Sequence, residues 1–197
     1  MKMRIIGTLI TILGLSVLWG QTDLCRPSVF KDGSIWKGSD VIEMFTLTNA
    51  SGMSIKVTNY AASLTDVSVP DRQGQFEHVV LGFDSLESYL ERHPKFGATI
   101  GRFANRIRNA EFSLNGQTYH LEKNNKEHSI HGGTNGFNRQ VFKTDTFYTV
   151  KDTAIVVFKY KSAHLEGGFP GNIELSIAYK LTNHNEIVLE YTATTDK

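Results

Sequence analysis

Two short segments concentrate the hydrogen-bonding chemistry of this chain. Gly101-Arg102-Phe103-Ala104-Asn105-Arg106-Ile107 carries two guanidiniums and an amide in close succession, and His131-Gly132-Gly133 follows after a hairpin and a polar loop. Arg offers five donors in a planar fork, Asn both donates and accepts, and a neutral imidazole does one of each. Together the two guanidiniums, the amide of Asn105 and the imidazole of His131 suit a ligand covered in hydroxyl groups, such as a sugar. The glycine pair after His131 lets the backbone approach a ligand or a second strand closely. The duller reading of the arginines is an ion pair with a strand carboxylate. Lying four apart, Arg102 and Arg106 point to one side if the segment is extended.

Other chemistries find little support. No two of the seven histidines sit at a metal-ligand spacing with a carboxylate beside them, so no catalytic metal is expected. Gly132-Gly133 and Gly167-Gly168 lack the strand, lysine and helix context of a phosphate-binding loop. His120 and His128 read as surface residues. The formal charge of +1, with 40% hydrophobic and 21% charged residues, is that of an ordinary globular chain and gives nucleic acid nothing to hold.

The elements that must position these residues are almost all strands. Residues 42–49, 53–60 and 63–69 are short β-branched runs, closed by the turn Pro70-Asp71-Arg72-Gln73-Gly74. Asp84, with Glu87 three residues on, predicts the start of one short helix carrying Leu86, Tyr89 and Leu90 and ending before Pro94. Residues 110–114 and 117–121 flank Asn115-Gly116, the strongest short hairpin signal, and this hairpin should bring the two polar segments together. Residues 141–150, 153–160, 172–181 and 186–195 read as long strands. In the third, Ile173, Leu175, Ile177, Tyr179 and Leu181 alternate with Glu174, Ser176, Ala178 and Lys180. An all-β antiparallel sandwich is the fold class.

The N-terminus reads differently. Lys2 and Arg4 precede the apolar run 5–19, too short to span a membrane comfortably and laid out like a secretory signal peptide, with a retained membrane anchor or a misread start codon as the alternatives. The expectation is a leader over 1–20, an irregular lead-in over 21–40 and the sandwich domain over 41–197. The mature protein would begin near Gln21, outside the cytoplasm, periplasmic or extracellular, with no membrane association after cleavage. Loss of Lys2 and Arg4 leaves 19 basic residues against 20 acidic ones. Cys25 is the only cysteine, which excludes an intrachain disulfide, and lipidation there is a minor alternative.

The spelling of the polar segments resembles the aldose 1-epimerases, or galactose mutarotases, which carry a GR-x-ANRI segment followed by an IHGG or LHGG segment at this spacing. Further family landmarks are Thr48-Asn49, Asn59-Tyr60, the Pro70 to Gly74 turn, Val80-Leu81-Gly82-Phe83-Asp84, Asn115-Gly116, Gly168-Phe169-Pro170-Gly171 and Thr195-Asp196-Lys197, covering roughly residues 42–197 in order. The resemblance implies the large two-sheet sandwich of that family, an aldose as small-molecule partner, and no cofactor. It gives Asn105 and Arg106 contacts with sugar hydroxyls, His131 a place in the sugar site, and Arg102 the task of bracing the loop.

The implied reaction opens a hemiacetal. An acid protonates the ring oxygen while a base takes the proton of the anomeric hydroxyl, and the free aldehyde rotates and recloses on its other face. In the family the acid is a histidine in an NLTNHSYFNL-like motif and the base a glutamate near the C-terminus. Neither motif occurs in residues 1–197, and Leu181-Thr182-Asn183-His184 lacks the Tyr-Phe-Asn that follows the family's histidine. The expectation is a chain matching the N-terminal portion of the family, inactive alone. The apolar faces carrying Ile173, Leu175 and Ile177, or Ile187, Leu189 and Tyr191, would lack full cover, which predicts self-association. The competing class is a non-catalytic carbohydrate-binding sandwich, which more often presents exposed aromatic platforms. Trp19 and Trp36 are expected outside the sandwich. A hexose-phosphate epimerase should show more basic residues around the site.

Overall fold

A computed structural model describes residues 26–91 and 94–197. The proposed leader and Cys25 lie outside the described residues. Thirteen strands run through those described, and two antiparallel sheets form a sandwich. The first contains β1 (Ser28–Lys37), β2 (Asp40–Thr48), β3 (Ser54–Thr58), β4 (Ser63–Pro70) and β5 (Phe76–His78), in sequence order. β6 (Arg106–Ile107), β7 (Glu111–Leu114), β8 (Gln117–His120) and β9 (Ser129–Ile130) lie in the central connection. The second large sheet is β10 (Lys143–Val150), β11 (Thr153–Ser162), β12 (Ile173–Thr182) and β13 (Ile187–Thr195).

The period-2 patterns decide which faces meet. Phe45, Leu47, Ile55, Val57 and Val67 from the first sheet pack against Val156, Phe158, Leu175, Ile177, Tyr179 and Leu181 from the second in one buried cluster. Burying each such large side chain is worth roughly 1.5–3 kcal/mol. Buried amides tie the sheets together at their ends. Asn49 Nδ2 donates to Thr182 O at 2.9 Å, and Asn59 Nδ2 donates to Val41 O and Phe142 O at 3.0 Å each. These bonds account for two of the asparagine landmarks in physical terms.

Several expectations need correction. The 21–40 lead-in carries a ten-residue strand, β1, paired with β2 from Ser28↔Thr48 to Lys37↔Asp40. A bulge between Lys31 and Gly33 breaks its alternation and β1 is mostly exposed, so its sequence shows no period. Trp36 lies in this strand, within the sandwich rather than outside it, and is exposed. The helix α1 (Leu86–Leu90) is capped by Ser85, not Asp84, because the Ser85 hydroxyl accepts from Ser88 N. On β12, Leu175 and Ile177 are covered, contrary to expectation. On β13 the expectation holds in part: Leu189 and Tyr191 pair with Tyr179 and Ile177 yet remain 38% and 54% exposed.

Candidate sugar-binding site

The hairpin does bring the two polar segments together. Asn115 and Gly116 both adopt positive φ, 52° and 78°, the geometry that lets β8 run back along β7. Beyond it, β6 and β9 pair directly, Arg106 with Ile130 and Ile107 with Ser129. The polar loop between β8 and β9 helps close this small ladder. The Asn124 side chain donates to Ile130 O at 3.0 Å and accepts from Ile130 N at 2.7 Å, occupying the place of a neighbouring strand.

At the end of this ladder Asn105 and His131, 26 apart in sequence, hold each other by two hydrogen bonds. His131 N donates to Asn105 O at 3.0 Å, and Asn105 N donates to His131 Nδ1 at 3.1 Å. A ring nitrogen that accepts from a backbone N–H carries no proton, so neutral His131 has its hydrogen on Nε2. Burial, then the positive charges of Lys95 and Arg106, hold its pKa below the ordinary histidine value. Arg106 is oriented by two amides: Nη1 donates to Asn105 Oδ1 at 3.2 Å and Nε to Asn125 Oδ1 at 3.3 Å. Asn105 and His131 are both left-handed, with φ of 66° and 57°. Non-glycine residues enter that region at a cost of about 1–3 kcal/mol, and such outliers concentrate at functional sites.

Arg102 goes elsewhere. It does not share a side with Arg106 as an extended segment would require; the left-handed turn at Asn105 is one break in that geometry. Its Nε donates to Ser162 Oγ at 2.8 Å, Nη1 to Pro170 O and Gly171 O at 2.9 Å each, and Nη2 to Ala163 O at 2.7 Å. Glu166 completes the group by accepting from Ser162 Oγ and, at 2.5 Å, from the Tyr160 hydroxyl. Burial and the Glu166 carboxylate push the Tyr160 hydroxyl pKa up, so Tyr160 stays protonated and donates. Arg102 thus braces the loop against the β11–β12 connection.

Glycines set the loop-to-loop distances. A Cβ on Gly132 would stand 2.5 Å from Gly101 C, and one on Gly167 would stand 3.0 Å from Gly132 O. The pair after His131 therefore serves close packing of protein on protein.

Sequence reasoning missed Asn125, because an amide in a polar loop has no spacing that betrays it. It also misread His128, which is half-buried with Nδ1 accepting from Asn109 N at 3.1 Å, rather than a surface residue. His120 is exposed, 3.6 Å from Glu111. His184 lies in the β12–β13 turn, exposed, 3.8 Å from Asp152. Among the described residues no group of three His, Cys, Asp or Glu could hold a metal ion, and no helix is long and apolar enough to cross a membrane. A concavity of about 770 Å³, lined by Asp32, Thr46, Lys56, Asp66 and His78 among others, includes none of Asn105, Arg106 or His131. The three candidate residues are grouped by side-chain chemistry and hydrogen bonding, not by a cavity.

Comparison with known proteins bears on the family and the fold. A family model described as aldose 1-epimerase matches residues 43–197. The chain is 35% identical over 161 residues to the galactose mutarotase of Mus musculus, covering 82% of this chain and 45% of that protein. It is 31% identical over 171 residues to the aldose 1-epimerase of Escherichia coli (strain K12), covering 87% and 46%. The crystal structure of galactose 1-epimerase from Lactobacillus acidophilus NCFM superposes with a TM-score of 0.76 at 28% identity, over 88% of this chain and 49% of that one. The chain spans about half the length of the relatives it matches. With the sandwich, the paired segments and the family model all in agreement, the chain belongs to the aldose 1-epimerase family.

Proposed function

We propose that this chain supplies the sugar-holding side of an aldose 1-epimerase site, acting on a neutral aldohexose such as glucose or galactose. The observation that carries the reading is the Asn105–His131 pair, two polar residues in left-handed backbone locked to each other by reciprocal hydrogen bonds. Their mutual bonds satisfy the backbone and the Nδ1 lone pair, leaving His131 Nε2–H as a donor to a sugar oxygen. Arg106 adds a forked donor, fixed at Nε and Nη1 by amides. Neutral, directional donors and amides suit hydroxyl groups. A sugar phosphate would call for more positive charge than Lys95 and Arg106 offer.

Ring opening also needs an acid at the ring oxygen and a base at the anomeric hydroxyl. Among the described residues no carboxylate is hydrogen-bonded to Asn105, Arg106 or His131. These residues are assigned to binding and orienting the sugar, and none of the three is assigned the acid or the base. We further propose export, on the strength of the charged and apolar pattern of residues 1–20.

The test is titration of the chain with methyl β-D-galactopyranoside, whose anomeric centre is locked, alongside polarimetry of α-D-galactose. Binding without acceleration of mutarotation is expected from residues 1–197. Acceleration that disappears on His184→Ala would mean that the exposed turn histidine is the acid after all. No binding of any aldose would overturn the reading.

A further inference from the structure

Resting on that reading, we propose that Arg102 and its partners Ser162 and Glu166 are positioning residues of the sugar site, acting on His131 and Asn105 through the backbone rather than by touching the ligand. Three observations carry this. First, the Arg102 guanidinium meets four acceptors on one segment, residues 162–171, and that segment also packs on the histidine loop where a Cβ at Gly167 would reach Gly132 O at 3.0 Å. Second, the segment that Arg102 starts is bonded to the histidine loop at both ends: Phe137 N donates to Gly101 O at 3.2 Å, and Asn105 and His131 exchange their two bonds. Third, Glu166 is held by Tyr160 and Ser162 in β11, so the brace is anchored in the second large sheet. Residues 101–105, 131–137 and 162–171 are thereby one cross-linked unit, and Arg102 is its only cation.

The geometry requires the guanidinium's shape as well as its charge. An ammonium is a point charge with three donors on a flexible stem, and cannot serve a hydroxyl and three carbonyls lying around a planar fork. Loosening the brace frees residues 102–105 to move as a unit. The bond most sensitive to that movement is Asn105 N to His131 Nδ1, which selects the imidazole tautomer. Arg102→Lys and Ser162→Ala should therefore change a property of His131, a residue neither one touches.

The experiment uses the full chain at a pH where His131 is neutral. Long-range ¹H–¹⁵N NMR reads the His131 tautomer, and titration with methyl β-D-galactopyranoside reads affinity. The wild type should show the Nε2–H form alone. Arg102→Lys and Ser162→Ala should show a mixture of tautomers and an affinity lower by about tenfold, the scale on which sub-ångström misplacement acts. His184→Ala, in the exposed turn, should change neither. Arg102→Ala is the harsher variant, and should it fail to fold, the two milder ones still decide. Variants that lower the melting temperature while keeping the Nε2–H form and wild-type affinity would reduce the brace to a structural role and overturn the proposal. If the wild type binds no sugar, the functional reading falls, while the tautomer comparison alone still supports or overturns the coupling of Arg102 to His131.

Discussion

Gly132→Ala is the substitution for which the structure makes the sharpest demand. At φ of +82° an alanine costs about 1–2 kcal/mol from left-handed backbone alone. Its methyl would also stand 2.5 Å from Gly101 C and 3.0 Å from Arg102 N, with the Gly101 carbonyl oxygen closer still. Carbon atoms prefer separations of about 3.5 Å or more, so the 101–105 segment must retreat by about 1 Å. Overpacking of that kind adds about 1–3 kcal/mol, and a displacement of 1 Å at a binding constellation costs about 100-fold. Gly116→Ala is the matched control. Its φ is +78° and no atom lies within 4 Å, so it bears the backbone cost and nothing more. Urea unfolding should find Gly132→Ala worse than Gly116→Ala by about 1–3 kcal/mol. Titration with methyl β-D-galactopyranoside should find binding lost in the first and kept in the second. Equal unfolding midpoints and equal affinities would mean that residues 101–105 and 131–136 are not in contact as described.

Arg106→Ala should weaken sugar binding by about 1.5–3 kcal/mol, the usual worth of hydrogen bonds from a charged donor, while leaving the unfolding midpoint nearly unchanged because the side chain is exposed. Unaltered affinity would remove Arg106 from the site. Because His131 titrates below its ordinary value near 6.5, the fold favours the neutral ring, so the stability tied to that form is complete above 6.5 and declines as pH falls from there toward the lowered native value. Sugar affinity measured across this range should hold down to about 6.5 and fall only below it, and a loss centred above 6.5 would contradict the burial and cationic surroundings assigned to the ring. The uncovered inward side chains Leu189 and Tyr191 should drive self-association of the chain, seen as concentration-dependent elution in size-exclusion chromatography and reduced by Leu189→Lys with Tyr191→Lys. Identical monomeric elution of both forms would refute it.

What the sequence reveals and what it hides follow from how far each interaction reaches. β12 was legible because its alternation is strict and its inner side chains are buried between neighbours. The hairpin was legible because Asn115-Gly116 encodes its own turn. β1 was not, since an exposed edge strand with a bulge has no buried face to impose a period. The opposite destinations of Arg102 and Arg106 were hidden for another reason. Arg102 meets Ser162 across 60 residues, and no local rule links the two. Asn105, Arg106 and His131 were singled out through family spelling. Their mutual bonds, and the part played by Asn125, needed coordinates.

The left-handed backbone at Asn105 and His131 bears on the proposed function. Each residue gives up about 1 kcal/mol or more to stand in left-handed backbone. Such conformations persist only where the surroundings leave no alternative, and here three constraints supply that: the β6–β9 ladder, the glycine contacts at Gly101 and Gly132, and the Arg102 brace. Each of them acts through the backbone rather than on the side chains of Asn105 and His131. The Asn105 side chain fixes Arg106 through Oδ1, and the Asn105 backbone N–H fixes His131 at Nδ1. The large sheets serve the site in the same way, because β11 anchors Glu166 through Tyr160 and Ser162, and the sandwich core keeps that strand from shifting.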